Sequence, residues 1–509
     1  MQKNTRWDHG LTVTGEGEGL VGHAGAVLLR KLADQVGLTG ALGPALARAG
    51  KFPLIDRGIA LVSMAVAIAL GATSMNDIAL LAHQEPVSGA APSDTTVRRA
   101  LELADPRTLD KIARVRAAVR ARVWQLITAA PAGFPWLEIA GKLLAGWLVI
   151  DIDATLITAH SDKEGAAPTF KMGYGFHPLG AWCANTAESL AMLLRPGNAG
   201  SNTFADHLSV LTAAIRQVPA RMRSKLLVRI DGAGASHELI SHLLSLSSRR
   251  RTVLFTSGWA ITEPDEQAIG LLPASAWQAA VDQDGAIQED KHVAEITHLT
   301  TRAAGWPAGL RWIARRTKPS RRQMKNLTAF ERATGWRYSI IMTNIPAAGG
   351  IPGMPGSHHP QFTDVLHREH AVVEDRVRAA KAMGLRNLPS KTWVVNCGWV
   401  LAANIAADLA AWCRLLGLYD CDDLKDAEPD TLRPVNRTPW RSRRSQASSI
   451  VSLKLLTRPG LSLQGHRGGE GRMRDYRKRI YGPIPPICLL LAAACHPRPR
   501  TDLSRSDGP

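Results

Sequence analysis

The sequence predicts an α/β protein: a mixed sheet flanked by helices, preceded by an all-helical region and interrupted by a β-rich stretch. Three observations carry this. WLVIDIDATLI (Trp147 to Ile157) and KLLVRIDGAG (Lys225 to Gly234) are apolar runs rich in Val, Ile and Leu, each leading into Asp. The helical segment ADHLSVLTAAIRQV lies between them, and apolar run, helix, apolar run is the pattern of a sheet covered by helices. Upstream the apolar spacing is helical, whereas downstream TVLFTSGW, GLRWIARR and WRYSIIMTN are β-rich and separated by Gly and Pro.

The N-terminal part, residues 1–146, reads as a helical DNA-binding region. Leu28, Leu29, Leu32 and Val36 fall at helix spacing, and the apolar run Ile59 to Leu70 reads as a buried helix. PSDTTVRRALE reads as a helix start capped by Ser93 or Asp94, with Thr95, Thr96, Arg98 and Arg99 facing out. Such a helix can enter a major groove, and it can equally be an ordinary capped surface helix. Residues 147–250 form the first part of the core, 251–350 the β-rich insertion, and 351–432 the closing helices. The first of these closing helices, LHREHAVVEDRVRAAKAMG, ends at Gly384, and the second is NCGWVLAANIAADLAAWCRLLGL. Beyond Leu432 periodicity stops in a basic tail, 433–509.

Composition bounds the function. The chain has 509 residues, 45% hydrophobic and 21% charged, which excludes disordered and collagen-like classes. Its net charge of +18 argues for a polyanionic partner. The tail holds 16 Lys+Arg against 4 Asp+Glu, leaving 46 against 40 in residues 1–432, so the DNA-binding expectation rests on local features. One is the strip 311–325, where Arg311, Arg315, Arg316, Lys318, Arg321, Arg322 and Lys325 occur with no acid. It suits a DNA backbone or a solvated ribbon. The six cysteines form no CxxC pair, which points to neither zinc knuckle nor disulfide framework and to a reducing interior. No signal peptide or membrane span is expected.

Strand-end carboxylates are the chemical signal, because burying Asp is costly unless a metal or hydrogen bonds compensate. Asp151 and Asp153 close one apolar run and Asp231 the other, and such a pair can hold Mg²⁺ through hard oxygens. In the following helix Glu374 and Lys381 are a seven-residue step apart and share a face, with His370 one turn before.

On these residues the chain resembles the DDE transposases of bacterial insertion sequences, in particular insertion-sequence family 1380. The resemblance lies in DIDATLITAHSDKEGAAPTFKMGYGFHPL, LLRPGNAGSNTFADH, VRIDGAGAS and HREHAVVEDRVRAAKAMGLRNLPS, in collinear order between about Leu28 and Leu432. It implies an RNase H-like catalytic core carrying an insertion domain. It also implies a metal-binding catalytic triad of Asp153, Asp231 and Glu374. Asp153 is preferred to Asp151 because Thr155 supplies the hydroxyl that related enzymes place two residues after the catalytic Asp. The family's Tyr, Arg, Glu, Lys signature is matched at Glu374 and Lys381, with His367 and His370 in the first two places.

The implied chemistry is DNA cleavage at the element's terminal inverted repeats and strand transfer into target DNA, with two Mg²⁺ ions for which Mn²⁺ can substitute. A homodimer is the implied active complex, and a cytoplasmic, nucleoid-associated location is the expectation for a chain with this resemblance. Lys381, Arg378 and His370 would contact phosphate, and Trp259 or Trp312 would stack on a flipped base or serve the core. Arg315, Arg316, Arg98 and Arg99 would contact DNA. The tail departs from the family's Arg-rich, tryptophan-containing ending, which reads either as a frameshift or fusion leaving it disordered or as a divergent but genuine tail.

Two other readings compete. WLVIDIDATLI also fits the DxDxT motif of haloacid-dehalogenase-like phosphohydrolases, with Asp151 as nucleophile, although no GDxxxD motif follows. The chain could also be a non-catalytic DNA-binding remnant.

Overall fold

The computed structural model describes residues 11–14, 25–85, 89–159, 162–420 and 452–455. The helices are α1 (Gly25–Gln35), α2 (Leu38–Leu46), α3 (Arg57–Ala69), α4 (Asp94–Leu101), α5 (Pro106–Ala129), α6 (Phe204–Gln217), α7 (His237–Ser245), α8 (Glu263–Gly270), α9 (Ala329–Thr334), α10 (Pro360–Arg368), α11 (Val372–Ala380) and α12 (Trp393–Gly417). The main strands are β1 (Leu148–Ala154), β2 (Leu179–Cys183), β3 (Ser189–Leu193), β4 (Lys225–Asp231), β5 (Thr252–Trp259), β6 (Gln278–Val281), β7 (Ile287–Glu295), β8 (Arg311–Thr317) and β9 (Arg337–Thr343).

These nine strands form one sheet in the order β6-β7-β8-β9-β5-β4-β1-β2-β3. Strand β1 runs antiparallel to β2, and β2 to β3; β4 then returns parallel to β1, and β5 parallel to β4. The β2–β3 hairpin was not anticipated, because LGAWC and SLAML carry Gly and Ala where a strand pattern calls for β-branched residues. Burial on both faces selects those small residues: all five positions of β2 are buried. A second difference concerns TVLFTSGW, expected at the start of the insertion. It is β5, the parallel neighbour of β4, and β9 pairs antiparallel with its far half. Strands β6 to β9 therefore lengthen the central sheet instead of forming a sheet of their own.

Alternation along the strands divides the core. Leu148, Ile150, Ile152, Leu226, Val228 and Ile230 join the N-terminal helices and α12 in one apolar cluster. Trp147, Val149, Leu227 and Leu254 face the other way, onto Phe362, Val365 and Leu366 of α10. Helix α3 is buried on nearly every side, as its uninterrupted apolar sequence requires, and packs against α12. Helix α12 is long and apolar enough to cross a membrane, yet 72% of its most apolar window is buried inside the protein.

A buried ionic network ties α5 to this core. Asp408 of α12 accepts from Arg116 (2.8 Å) and Arg120 (2.7 Å). Glu188, in the β2–β3 turn, accepts from Arg120 (2.7 Å) and from the indoles of Trp124 and Trp412 (2.6 Å each). The basic tail lies outside the described residues except for Ser452–Leu455, which pairs antiparallel with Leu11–Thr14.

Candidate active site

Residues two apart on a strand share a face, so Asp151 and Asp153 point the same way from β1, and Arg229 and Asp231 from β4. The parallel register sets Asp151 opposite Arg229. Two residues further along each strand, Asp153 and Asp231 stand at the ends of the same two strands. An Asp–Arg pair thus lies beneath a pair of carboxylates.

The lower pair is closed. Arg229 donates to Asp151 through Nε (2.6 Å) and Nη2 (2.8 Å), and His370 Nδ1 adds a third bond at 2.9 Å. Asp151 is 1% exposed. Burial pushes its carboxyl up, but the Arg229 guanidinium and the His370 bond hold it below the usual carboxylate range. The Arg229 Nη1 also reaches the carbonyl of Leu366 in α10, fastening that helix to the sheet.

The upper pair is not neutralised. Burial, then the like charge of Asp231 and more weakly that of Glu374, push Asp153 up to about 6, against the opposing Ala154 N–H and His370. Asp231 is exposed and accepts from the Gly234 N–H at 2.9 Å. Glu374 stands exposed in the first turn of α11. Among the described residues no three His, Cys, Asp or Glu side chains are gathered closely enough to enclose an ion. Asp153 and Asp231 lie at neighbouring strand ends, and the charge of Glu374 is also felt at Asp153. Three hard-oxygen donors whose mutual repulsion a cation would cancel fit a divalent metal such as Mg²⁺.

The helix carrying Glu374 is more broken than expected. Helix α10 starts at Pro360, a 3-10 turn spans Glu369–Ala371, α11 follows, and Gly384 at φ 90° ends it. His370 was expected at a phosphate. It is buried on Asp151, so its Nδ1 is not presented to DNA. His367 is pushed down to about 3 by burial and by the charges of His370 and Arg229, and shares a hydrogen bond with Thr256 Oγ1 (3.1 Å). At Lys381 burial, then the charges of Lys171 and Arg386, lower the proton affinity, while Asp153 raises it. Arg378 is exposed beside Asp375 at 2.8 Å.

The first half of the basic strip is committed internally, which corrects the expected availability of Arg311, Arg315 and Arg316 to DNA. Arg311 pairs with Glu295 (2.6 Å) and Arg315 with Asp364 (3.0 Å), and Arg316 lies between Trp277 and Trp336, 4.3 and 4.5 Å from their rings. Arg321, Arg322 and Lys325 are exposed. Arg98 and Arg99 are exposed on α4 as expected, Arg98 paired with Glu102, and Ser93 is the cap.

Trp312 is 0% exposed and belongs to the core. Trp259 is half-buried, with Arg302 5.1 Å from its ring and Trp306 5.6 Å away. It packs over Gly232, where any Cβ would fall 2.4 Å from the indole, so it borders the Asp231 turn. Trp306, stacked at 4.0 Å on His237, was missed: a lone Trp before Pro307 carries no periodic signal. Arg229 was missed because one Arg inside an apolar strand shows no partner in sequence.

Comparisons with known proteins come to three findings. A family model described as Transposase DDE domain group 1 matches residues 4–434. Among solved structures, the chain is similar to a piggyBac transposase in a synaptic complex with hairpin DNA, at 10% identity and a TM-score of 0.39, covering 83% of this chain and 81% of that one. No curated protein shows a significant match.

Proposed function

The chain belongs to the DDE transposases, and from that premise we propose that it cleaves DNA at the ends of an insertion sequence and joins them to target DNA. The observation that carries the reading is the unneutralised pair Asp153 and Asp231, on adjacent parallel strand ends with Glu374 nearby. The order β3-β2-β1-β4-β5, with only β2 antiparallel to its neighbours, supports an RNase H-like core, with β6 to β9 as its insertion. Open α/β sheets place ligands at the carboxyl ends of their strands, where this pair stands.

A divalent cation, Mg²⁺ or in its place Mn²⁺, would be held by Asp153, Asp231 and Glu374 and would supply Lewis-acid charge for phosphoryl transfer, with two ions in the family's scheme. Lys381 would bind the phosphate next to the cut, with Arg378 three residues before it as a second phosphate contact. Trp259, which packs over Gly232 beside Asp231, would be the aromatic residue that receives an unpaired base. Arg98 and Arg99 are placed on the surface for duplex contact, and a homodimer would hold both ends of the element.

The phosphohydrolase reading needs Asp151 as a free nucleophile. Both of its oxygens are engaged by Arg229 and it is buried, which disfavours that chemistry. The deciding assay is Mg²⁺-dependent nicking of DNA carrying the element's ends. Nicking lost in Asp231→Asn and Glu374→Gln supports the transposase. Hydrolysis of small phosphoesters without nicking overturns it, and DNA binding without either activity leaves the non-catalytic remnant.

A further inference from the structure

Directly after β1 the chain forms a small antiparallel sheet from Ile157–Thr158, Ala167–Pro168 and Tyr174–Phe176. Its last connection is the tight turn Thr169 to Gly173. The Thr169 N–H donates to the Gly173 carbonyl (2.8 Å), and the Met172 N–H to the Thr169 carbonyl (3.0 Å). Met172 is held at φ 58°, a conformation glycine adopts without strain and other residues rarely visit. The turn presents Phe170 at 69% and Met172 at 99% exposure, with Lys171 between them. Nothing in the packing accounts for an apolar side chain extended into water from a left-handed backbone position.

Its location does. The Phe170 ring lies 5.5 Å from that of His177, and the next residue, Pro178, accepts from the Thr155 N–H (3.0 Å) just before Gly180 pairs with Asp153. The Lys171 ammonium is 5.6 Å from the Phe170 ring and, with Arg386, within electrostatic range of Lys381, which in turn feels Asp153. The turn therefore borders the carboxylate site, and three cations share that border.

We propose that the Thr169–Gly173 turn is a DNA wedge: Met172, backed by Phe170, enters a base step beside the strand lying at Asp153 and Asp231. Lys171, Lys381 and Arg386 grip the flanking phosphates. Proteins that kink or open a duplex insert Met, Phe or Leu between bases in this way. Two side chains are the size of one base step and far below the roughly 1,000 Å² that a protein interface needs. Clustered cations match a polyanion. The proposal rests on the DNA-cleaving reading, and it adds the element that unstacks the duplex where cleavage occurs.

The test uses the full chain and a duplex carrying the element's terminal sequence, with 2-aminopurine placed in turn at each base near the cut and Ca²⁺ replacing Mg²⁺. At saturation, followed by anisotropy, the wild type raises fluorescence several-fold at one step, and a Phe170→Ala/Met172→Gly double variant does not. Glycine is chosen at 172 because it keeps the turn, and circular dichroism checks the fold. In Mg²⁺ the double variant cuts intact duplex at least about tenfold more slowly, and a mismatch at that step restores cutting, since unstacking is already done. Lys171→Ala flattens the salt dependence of binding by about one phosphate contact. Equal fluorescence rises in the two proteins, no rise in the wild type, or no rescue by the mismatch would overturn the wedge. If the wild type cuts neither substrate, the cleavage reading fails instead, and the fluorescence arm, which needs no cutting, still decides the wedge.

Discussion

Asp151 and Asp153 lie two residues apart on one strand, and the structure requires their replacement by Asn to change stability in opposite directions. Asp153 is pushed from the ordinary 3.8 up to about 6. A folded-state value above the unfolded one means that stability is lost as pH rises from 3.8 through 6 and stays lost above. At about 1.4 kcal/mol per unit this burial, with the repulsion from Asp231, costs about 2–3 kcal/mol at neutral pH. Asp153→Asn should therefore stabilise the metal-free protein by up to about that amount at pH 7.5, and by roughly half as much near pH 5. Asp151 is the reverse case. Its lowered value supplies stability that is present above the ordinary carboxylate range and lost as pH falls through it. Asp151→Asn leaves Arg229 buried without its counter-charge, a loss of about 3–5 kcal/mol. Urea unfolding in EDTA at the two pH values measures both, and nicking assays should show Asp153→Asn inactive though more stable. A lowered urea midpoint for Asp153→Asn at pH 7.5, or wild-type stability for Asp151→Asn, would refute the assignment of one aspartate to structure and the other to chemistry.

Glu188→Gln leaves Arg116 and Arg120 facing Asp408 alone and should lower stability by about 3 kcal/mol, read as a shifted urea midpoint by tryptophan fluorescence, since Trp124 and Trp412 both donate to Glu188. His367, pushed down to about 3, stays neutral in the folded protein while the unfolded chain takes up a proton below its ordinary 6.5. Stability should fall as pH drops below that value, by up to about 1.4 kcal/mol per unit from this group, and His367→Gln should flatten the slope in pH-dependent urea titrations. Gly384→Ala forces a side chain into φ 90° and within 3.0 Å of Ile68, and should cost about 1–2 kcal/mol in thermal or urea unfolding.

What the sequence disclosed and what it withheld follow from the range of the interactions involved. The apolar runs ending in Asp153 and Asp231 are local patterns, and they became β1 and β4. The cap at Ser93 and the break at Gly384 are local too. The β2–β3 hairpin escaped because its small residues answer to the layers above and below it. Arg311, Arg315 and Arg316 looked like a DNA surface because sequence shows the arginines and hides their partners: Glu295, Asp364 and the two tryptophans arrive from other segments. His370 misled in the same way, since only the fold brings Asp151 to its Nδ1.

The two strands underlie the proposal that Asp153 and not Asp151 serves the chemistry. Strand β1 reads Asp-Ile-Asp and β4 reads Arg-Ile-Asp, and the parallel register sets the first residues of each opposite one another. The charged pair so formed is desolvated and locked by His370 and the α10 carbonyl, and the next pair outward inherits two carboxylates with no cation between them. A slip of one residue would turn both Asp side chains of β1 to the opposite face, so the Arg229–Asp151 bridge also fixes the register that presents Asp153. Removing the bridge while keeping Asp153 should then lower activity as well as stability. A combined Asp151→Leu/Arg229→Met replacement separates the two roles. Apolar side chains of similar volume can restore stability without the salt bridge, but they leave β1 and α10 without the hydrogen bonds that set their positions. Recovery of the urea midpoint without recovery of nicking would assign the bridge a positioning role, whereas recovery of both would show that packing alone aligns the carboxylates.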